Sequence, residues 1–83
     1  MYYVGPMWTV HDGRLVRELQ TADFRAAFAL VAAIVDPAEA AGHHPDVHFG
    51  WGYVRLELTT HDEGGVTALD WALAAELDKV LPP

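Results

Sequence analysis

The stretch from Tyr53 to Thr60 alternates between polar and apolar side chains, and this pattern constrains the fold more than any other feature. Val54, Leu56 and Leu58 occupy every second position. Because successive side chains of a strand point to opposite faces of a sheet, this segment is predicted to be a strand with one buried face. The chain therefore needs a sheet that other elements cover on one side.

Three further strands are predicted around this one. Met7 to Val10 and Leu15 to Gln20 flank Asp12 and Gly13, a pair typical of tight hairpins because the turn requires positive φ. Another strand begins near Val47 and turns back into the Tyr53 strand through a glycine-containing segment. The sequence thus predicts four strands in two hairpins.

A first helix is predicted between the two hairpins. Thr21 is its expected cap and Gly42 its expected end, while Pro37 either interrupts the helix or begins another turn. Apolar residues recur at helical spacing, and we expect the stripe they form to face the sheet. This stripe consists of Phe24, Phe28, Val31 and Val35, with Ala27, Ala32 and Ala33 between them.

A second helix follows the last strand and a polar loop. Thr67 opens it, and Asp70 stands at the position of a capping-box partner. Its predicted buried face consists of Leu69, Leu73, Leu77, Val80 and Leu81.

The predicted order ββαββα indicates an α+β fold. It is a two-layer sandwich in which a four-stranded antiparallel sheet carries the helices on one face. A chain of 83 residues has room for one core, so residues 1–83 are expected to form a single domain. Because 52% of the residues are apolar, more than a small domain easily hides, we expect a homodimer or homotetramer.

Composition excludes several classes of function. Twelve acidic residues against five Lys and Arg give a net charge of −7, which argues against direct binding of nucleic acid. No apolar run approaches the length of about 20 residues that spans a bilayer, and the first residues do not resemble a signal peptide. We therefore expect a cytoplasmic protein without membrane association. The absence of cysteine excludes disulfides and thiolate metal ligands.

Three of the five histidines stand at predicted boundaries between elements. His43 and His44 lie where the first helix gives way to a strand, and His61 lies where the last strand ends. Adjacent extended residues point in opposite directions, so His43 and His44 are expected to do different work. Imidazole is the side chain best suited to exchange protons near neutral pH, which makes these residues candidates for general acid–base catalysis.

Other interpretations of these residues stay open at this point. The three histidines could satisfy backbone groups at element ends, or they could ligate zinc with His48 nearby. His11 and His48 are expected to lie on the surface. Trp51 is either part of a pocket lining or ordinary packing. Trp71 falls off the apolar face of the second helix, and we expect it at a subunit interface.

An ordered set of residues in the second half of the chain resembles the signature of the pterin-4a-carbinolamine dehydratases. The set consists of Glu39, His43-His44-Pro45, Trp51, Thr60-His61-Asp62, Gly64-Gly65 and Asp70. The resemblance extends over nearly the whole chain from Trp8 onward. A bare His-His-Pro would be a weak signal, but this order and spacing are specific.

The resemblance implies dehydration of 4a-hydroxytetrahydropterin to quinonoid dihydropterin, with no metal or organic cofactor. His43, His44 and His61 would carry the acid–base chemistry, and His44 is the leading candidate. Glu39 would orient a histidine. The remaining residues implied to bind substrate are Pro45, Thr60, Asp62, Glu63 and Trp51. The alternative is a binding or assembly module without turnover, since relatives of this fold act as a transcriptional coactivator or a RuBisCO assembly factor.

The chain departs from the family pattern in two places. Family members often have a helix before the first strand, and we expect it to be shortened or absent here because few residues precede Trp8. An aromatic residue is usual two places after His-His-Pro, where this chain has Val47. This second departure is expected to change the pocket.

Overall fold

The computed structural model describes residues 7–83, and its elements follow the predicted order ββαββα. The elements are β1 (Thr9–His11), β2 (Arg14–Gln20), α1 (Phe24–Ala41), β3 (Asp46–Gly50), β4 (Tyr53–Leu58) and α2 (Ala68–Asp78). The prediction about an N-terminal helix concerns residues that lie outside this range. Neither helix of residues 7–83 is long and apolar enough to cross a membrane.

The four strands form one antiparallel sheet in the order β1-β2-β4-β3. In its centre Leu15 of β2 lies opposite Leu58 of β4, and Leu19 lies opposite Val54. These side chains and Leu56 are buried in a core that both helices complete, which confirms the alternation and the α+β fold. The helices cover one face, and the residues that alternate with these buried side chains in β2 and β4 point away from the core.

The β1–β2 hairpin turns where the sequence predicts it. Asp12 and Gly13 both have positive φ, at 49° and 74°. An aspartate tolerates this region better than most residues, and glycine occupies it freely. The Asp-Gly pair therefore sets the register in which Thr9 faces Val16.

The start of α1 differs from the prediction. Asp23, and not Thr21, is the cap: its backbone is extended, and its carboxylate accepts a hydrogen bond of 2.8 Å from the Ala26 amide. The helix continues through Pro37 and ends at Gly42, which has the left-handed φ of 63°. Gly42 thus ends the helix as expected, while Pro37 does not interrupt it.

Most of the predicted apolar stripe of α1 is rotated away from the core, and only Val31 packs against the core as a partly buried side chain. Ala27, Ile34 and Ala38 are the buried residues, whereas Phe24 and Phe28 are 55% and 56% exposed. Alanines facing the sheet let the helix backbone lie close to it. In this rotation of the helix about its axis, the large side chains lie on one flank. Val35 shares that flank and is 51% exposed.

Part of the predicted α2 face is also wrong. Leu73, Leu77 and Leu81 are buried as expected, but Leu69 and Val80 are exposed. The buried residues of α2 are Asp70, Leu73, Ala74 and Leu77, so this face includes two positions that the spacing of leucines does not indicate.

A buried arginine joins the sheet to the end of α2. Arg17 alternates with Leu15 and Leu19, so its side chain enters the covered side of the sheet, where it is 4% exposed. Its Nη1 donates to Asp78 Oδ1 at 2.5 Å, and its Nη2 donates to the Pro82 carbonyl. The Trp8 indole donates to the same Asp78 oxygen at 2.8 Å. Nothing in the strand pattern predicted this ion pair.

Arg17→Met tests the contribution of this ion pair. The substitution leaves Asp78 partly buried without its cation, so we expect the free energy of unfolding to fall by roughly 3 kcal/mol. Arg14→Met is the matched control on the same strand, because Arg14 pairs with Asp46 on the uncovered face and should contribute less than about 1 kcal/mol. Urea unfolding of both variants measures the difference, and equal losses would contradict the role given to Arg17.

Candidate active site

Two loops bring the three boundary histidines together. After the left-handed turn at Gly42, the residues His43–Pro45 lead from α1 into β3. His61 begins a single 3-10 turn, His61–Glu63, which follows β4. Reciprocal backbone hydrogen bonds between Thr60 and Gly65 close this second loop. Both loops lie at the same end of the molecule.

The two loops surround a cavity of about 540 Å³. This volume is within the range typical of small-molecule sites. The residues that line the cavity are Gly42, His43, His44, Thr59, Thr60, His61, Asp62 and Leu69. Three imidazoles from two separate segments therefore face one hollow.

Asp70 holds His43 from beneath the cavity. The Asp70 side chain is fully buried, and its Oδ1 lies 2.6 Å from His43 Nε2. Its Oδ2 accepts hydrogen bonds of 2.8 Å from the Thr60 hydroxyl and from the Thr67 amide. The predicted capping box of α2 is thus confirmed, and the same carboxylate reaches two further segments.

The surroundings of Asp70 favour its charged form. Burial raises the pKa of this carboxyl, but the hydrogen bonds from His43, Thr67 and Thr60, and the charge of His43, outweigh that effect. The net result is a pKa below its usual value of 3.8. Asp70 is therefore an anion whenever the site works near neutral pH.

His44 has a different partner and a different environment. Its Nε2 lies 2.5 Å from Glu39 Oε2, and the two side chains are 60% and 67% exposed. In contrast, the His43 side chain is only 19% exposed. The adjacent histidines thus contact separate carboxylates, one buried and one in solvent. An exposed pair of this kind contributes little to stability.

Five of the predicted site residues lie together around the cavity: His43, His44, Thr60, His61 and Asp62. Glu39 joins them through its contact with His44. Pro45 lies instead at a smaller apolar cavity of about 160 Å³ between α1 and β3, where Val47 and His44 also form part of the wall.

Two predicted site residues lie away from the cavity. Glu63 is exposed in the 3-10 turn and does not line the hollow. Trp51 is 71% exposed in the turn between β3 and β4, at the opposite end of β4 from His61. It is neither a wall of this cavity nor core packing, because the turn carries its side chain beyond the sheet.

Four residues of the site were not anticipated as site residues. Gly42, Thr59 and Leu69 line the cavity, and Asp70 was interpreted only as a helix cap. The capping position explains one carboxylate oxygen of Asp70. No sequence signal indicates that the other oxygen meets His43, since that contact depends on how the end of α1 packs against α2.

A second group of polar residues lies on the uncovered face of the sheet. A cavity on the uncovered sheet face also measures about 540 Å³, but its charges pair with each other: Arg14 with Asp46 at 2.7 Å and Arg55 with Glu57 at 3.0 Å. His48 lies exposed beside them. Within residues 7–83, no three His, Asp or Glu side chains are grouped so as to hold a metal ion.

Asp70→Asn tests the charged carboxylate. At about pH 7 the variant should lose roughly 2 kcal/mol of unfolding free energy, because hydrogen bonds to a charged acceptor are replaced by weaker ones. The pKa of Asp70 is lower in the fold than its usual 3.8, so its stabilisation is complete above that value and disappears as pH falls through the folded pKa. The difference between native chain and variant should therefore shrink below about pH 4.

Urea unfolding at a series of pH values measures this difference. Asp62→Asn is the control, because it removes an exposed acid from the same loop region and should change stability by less than about 0.5 kcal/mol. A loss in the Asp70 variant that stays constant down to pH 3 would contradict the role of its charge.

Comparisons with known proteins place the chain in a family. Residues 2–80 match the family described as Pterin 4 alpha carbinolamine dehydratase. Proteins named "Putative pterin-4-alpha-carbinolamine dehydratase" from Chloroflexus aurantiacus and Acidobacterium capsulatum are 47% and 42% identical over 76 residues. These alignments cover 92% of this chain and 82% or 83% of the relative.

Solved structures share the fold. The transcriptional coactivator/pterin dehydratase from Brucella melitensis superposes with a TM-score of 0.81 at 31% identity, over 92% of this chain and 83% of that one. A pterin dehydratase-like RuBisCO assembly factor of the alpha-carboxysome superposes with a TM-score of 0.68 at 22% identity, over 88% and 84%. The second likeness concerns the fold alone. On the sequence match and the shared architecture, the chain belongs to the pterin-4a-carbinolamine dehydratase family.

Proposed function

We propose that this chain catalyses the dehydration of 4a-hydroxytetrahydropterin. The observation that carries the proposal is the single cavity faced by His43, His44 and His61. Family membership supports a pterin as the ligand. The cavity volume of about 540 Å³ accommodates a flat bicyclic ring with room for its substituent.

The proposed reaction is an elimination of water. An acid protonates the hydroxyl on C4a, the C4a–O bond breaks, and a base removes a proton from a ring nitrogen as the C=N bond forms. The products are quinonoid dihydropterin and water. Nothing is oxidised or reduced, so proton transfer by imidazoles is sufficient and the proposal includes no metal or organic cofactor.

The environments of the two adjacent histidines suggest different roles. His44 faces both the cavity and solvent, so it can regain or release its proton to water after each turnover. We assign it as the leading general acid–base residue, with Glu39 orienting its ring. His43 is held by a buried carboxylate that only accepts hydrogen bonds, so its Nε2 carries a proton and its ring is fixed beside the cavity.

The polar wall of the cavity is proposed to bind the pterin. Asp62 is exposed at its rim, and a carboxylate there can accept hydrogen bonds from the amino-pyrimidine edge of a pterin. The Thr60 hydroxyl is hydrogen-bonded to Asp70 and Thr67. Thr60 therefore forms part of the cavity wall and does not hydrogen-bond to substrate. Pro45, Glu63 and Trp51 do not line this cavity, so within one chain they affect the pterin ring only indirectly.

The second candidate function is a binding or assembly module without turnover. The solved relative described as transcriptional coactivator/pterin dehydratase supports keeping this candidate. An inert module does not need an exposed carboxylate beside a histidine that lines the cavity, and the Glu39–His44 pair is such an arrangement. The site geometry therefore favours the enzyme.

His44→Ala provides the direct test. We expect the dehydration rate at saturating 4a-hydroxytetrahydropterin to fall by about 10²-fold or more, the usual effect of losing a positioned acid or base. His48→Ala is the matched control, since His48 is exposed outside the cavity and its loss should leave the rate unchanged. A native chain that is no faster than the unassisted reaction would establish the binding module instead.

A further inference from the structure

A small apolar pocket adjoins the histidine cavity. It lies between α1 and β3 and has a volume of about 160 Å³. Its wall consists of six apolar residues and of the paired side chains of Glu39 and His44. This space is hereafter called the α1–β3 pocket, and its apolar residues are Val31, Ile34, Val35, Ala38, Pro45 and Val47.

The α1–β3 pocket exists because small side chains meet where the helix crosses the edge of the sheet. Ile34 and Ala38 of α1 are buried, and Val47 of the edge strand β3 is half-buried. Alanine and valine at these positions leave the space between helix and strand unfilled. An apolar cavity of about 150 Å³ gives water few hydrogen bonds and is large enough to bind benzene. The α1–β3 pocket therefore suits an apolar group of a few carbon atoms.

His44 is the one residue that lines both the histidine cavity and the α1–β3 pocket. In 4a-hydroxytetrahydropterin the carbon that loses its hydroxyl, C4a, is bonded to N5, and N5 is bonded to C6, which carries the side chain of the pterin. A histidine that protonates the C4a hydroxyl therefore lies close to the substituent on C6. A pterin that reacts at His44 can extend this substituent past the imidazole into the α1–β3 pocket.

The charges around both spaces disfavour an anionic substituent. Glu39 lines the α1–β3 pocket and Asp62 lines the histidine cavity. Of the lysines and arginines in the part of the chain that the structure describes, none lines either space. A carboxylate or phosphate on the C6 side chain would approach Glu39 with only His44 to offset the repulsion between like charges.

We propose that the α1–β3 pocket binds the C6 substituent of the substrate and selects pterins in which this substituent is short, apolar and uncharged. The proposal rests on the proposed function, because it places the reacting pterin against His44. Val47 sets the depth of the pocket. Pro45, which does not line the histidine cavity, contacts the substituent and not the ring.

Binding of three 7,8-dihydropterins tests the selection. They carry hydrogen, propyl or carboxyethyl at C6, and they lack the 4a hydroxyl, so isothermal titration calorimetry measures their Kd without turnover. The propyl compound should bind at least about tenfold more tightly than the unsubstituted one, because burial of each methylene contributes roughly fourfold. The carboxyethyl compound should lose this advantage, since its charge meets Glu39.

Val47→Trp fills the α1–β3 pocket and should abolish the advantage of the propyl compound without changing the affinity for unsubstituted dihydropterin. Val10→Trp is the matched control, because Val10 is 59% exposed on β1, at the opposite edge of the sheet. Val35→Trp fills the pocket from its exposed wall and should have the same effect as Val47→Trp. Because Val35 is exposed, this second variant keeps the test available if Val47→Trp does not fold.

Glu39→Gln tests the charge selection separately. It should strengthen binding of the carboxyethyl compound several-fold and leave binding of the propyl compound unchanged. Glu18→Gln makes the same change in net charge at an exposed position of β2, outside both spaces, and should alter neither affinity.

Equal affinities of the native chain for the propyl and unsubstituted compounds would overturn the proposal. It would also be overturned if both filling variants kept the propyl advantage; a change in their sedimentation would then show that the pocket is a contact between copies of the chain. Dehydration of 4a-hydroxytetrahydropterin without a C6 substituent is measured in parallel. Turnover of this compound together with equal affinities would leave the proposed function standing, whereas a native chain that neither binds nor dehydrates any pterin would overturn both.

Discussion

The Asp70 carboxylate links three segments that are distant in sequence. One oxygen contacts His43 from the end of α1, and the other accepts from Thr60 after β4 and from the first turn of α2. Because the group is fully buried and charged, each of these donors is needed to offset its loss of hydration. The relative position of both loops that carry histidines therefore depends on this one side chain.

This arrangement relates the fold to the proposed chemistry. The sheet and α2 supply a rigid base, the buried anion fixes one imidazole on it, and the loops leave a second imidazole exposed to solvent. General acid–base catalysis needs both properties, since one group must be positioned and another must exchange protons with water. The two carboxylates beside adjacent histidines provide them separately.

The sequence predicts the elements better than it predicts what they face. Period-two alternation in β4 and the Asp-Gly turn depend on local geometry, and both are confirmed. The prediction of which α1 residues face the sheet was mostly wrong, because spacing identifies the apolar residues but not which side of the helix contacts the sheet. Ala27 and Ala38 are buried against the rest of the fold, whereas the phenylalanines of α1 remain exposed.

In the candidate site, too, features that depend on local sequence were predicted and contacts between distant residues were not. Local spacing and family resemblance indicated the histidines, and the structure brings them around one cavity. The contact between His43 and Asp70, and the buried Arg17–Asp78 pair, join residues more than 25 positions apart, so they follow only from packing. Trp51 belongs to the signature by order along the chain, but its turn lies at the far end of the sheet.

Asp70 both caps α2 and holds His43, and this matters when relatives are compared. A descendant without catalytic activity would still be stabilised by this aspartate, since the side chain joins the second helix to both loops. Retention of the aspartate is therefore a poor diagnostic of activity. The exposed Glu39–His44 pair contributes little to the stability of the fold. In a relative that has lost activity, we therefore expect substitutions to appear first at this pair.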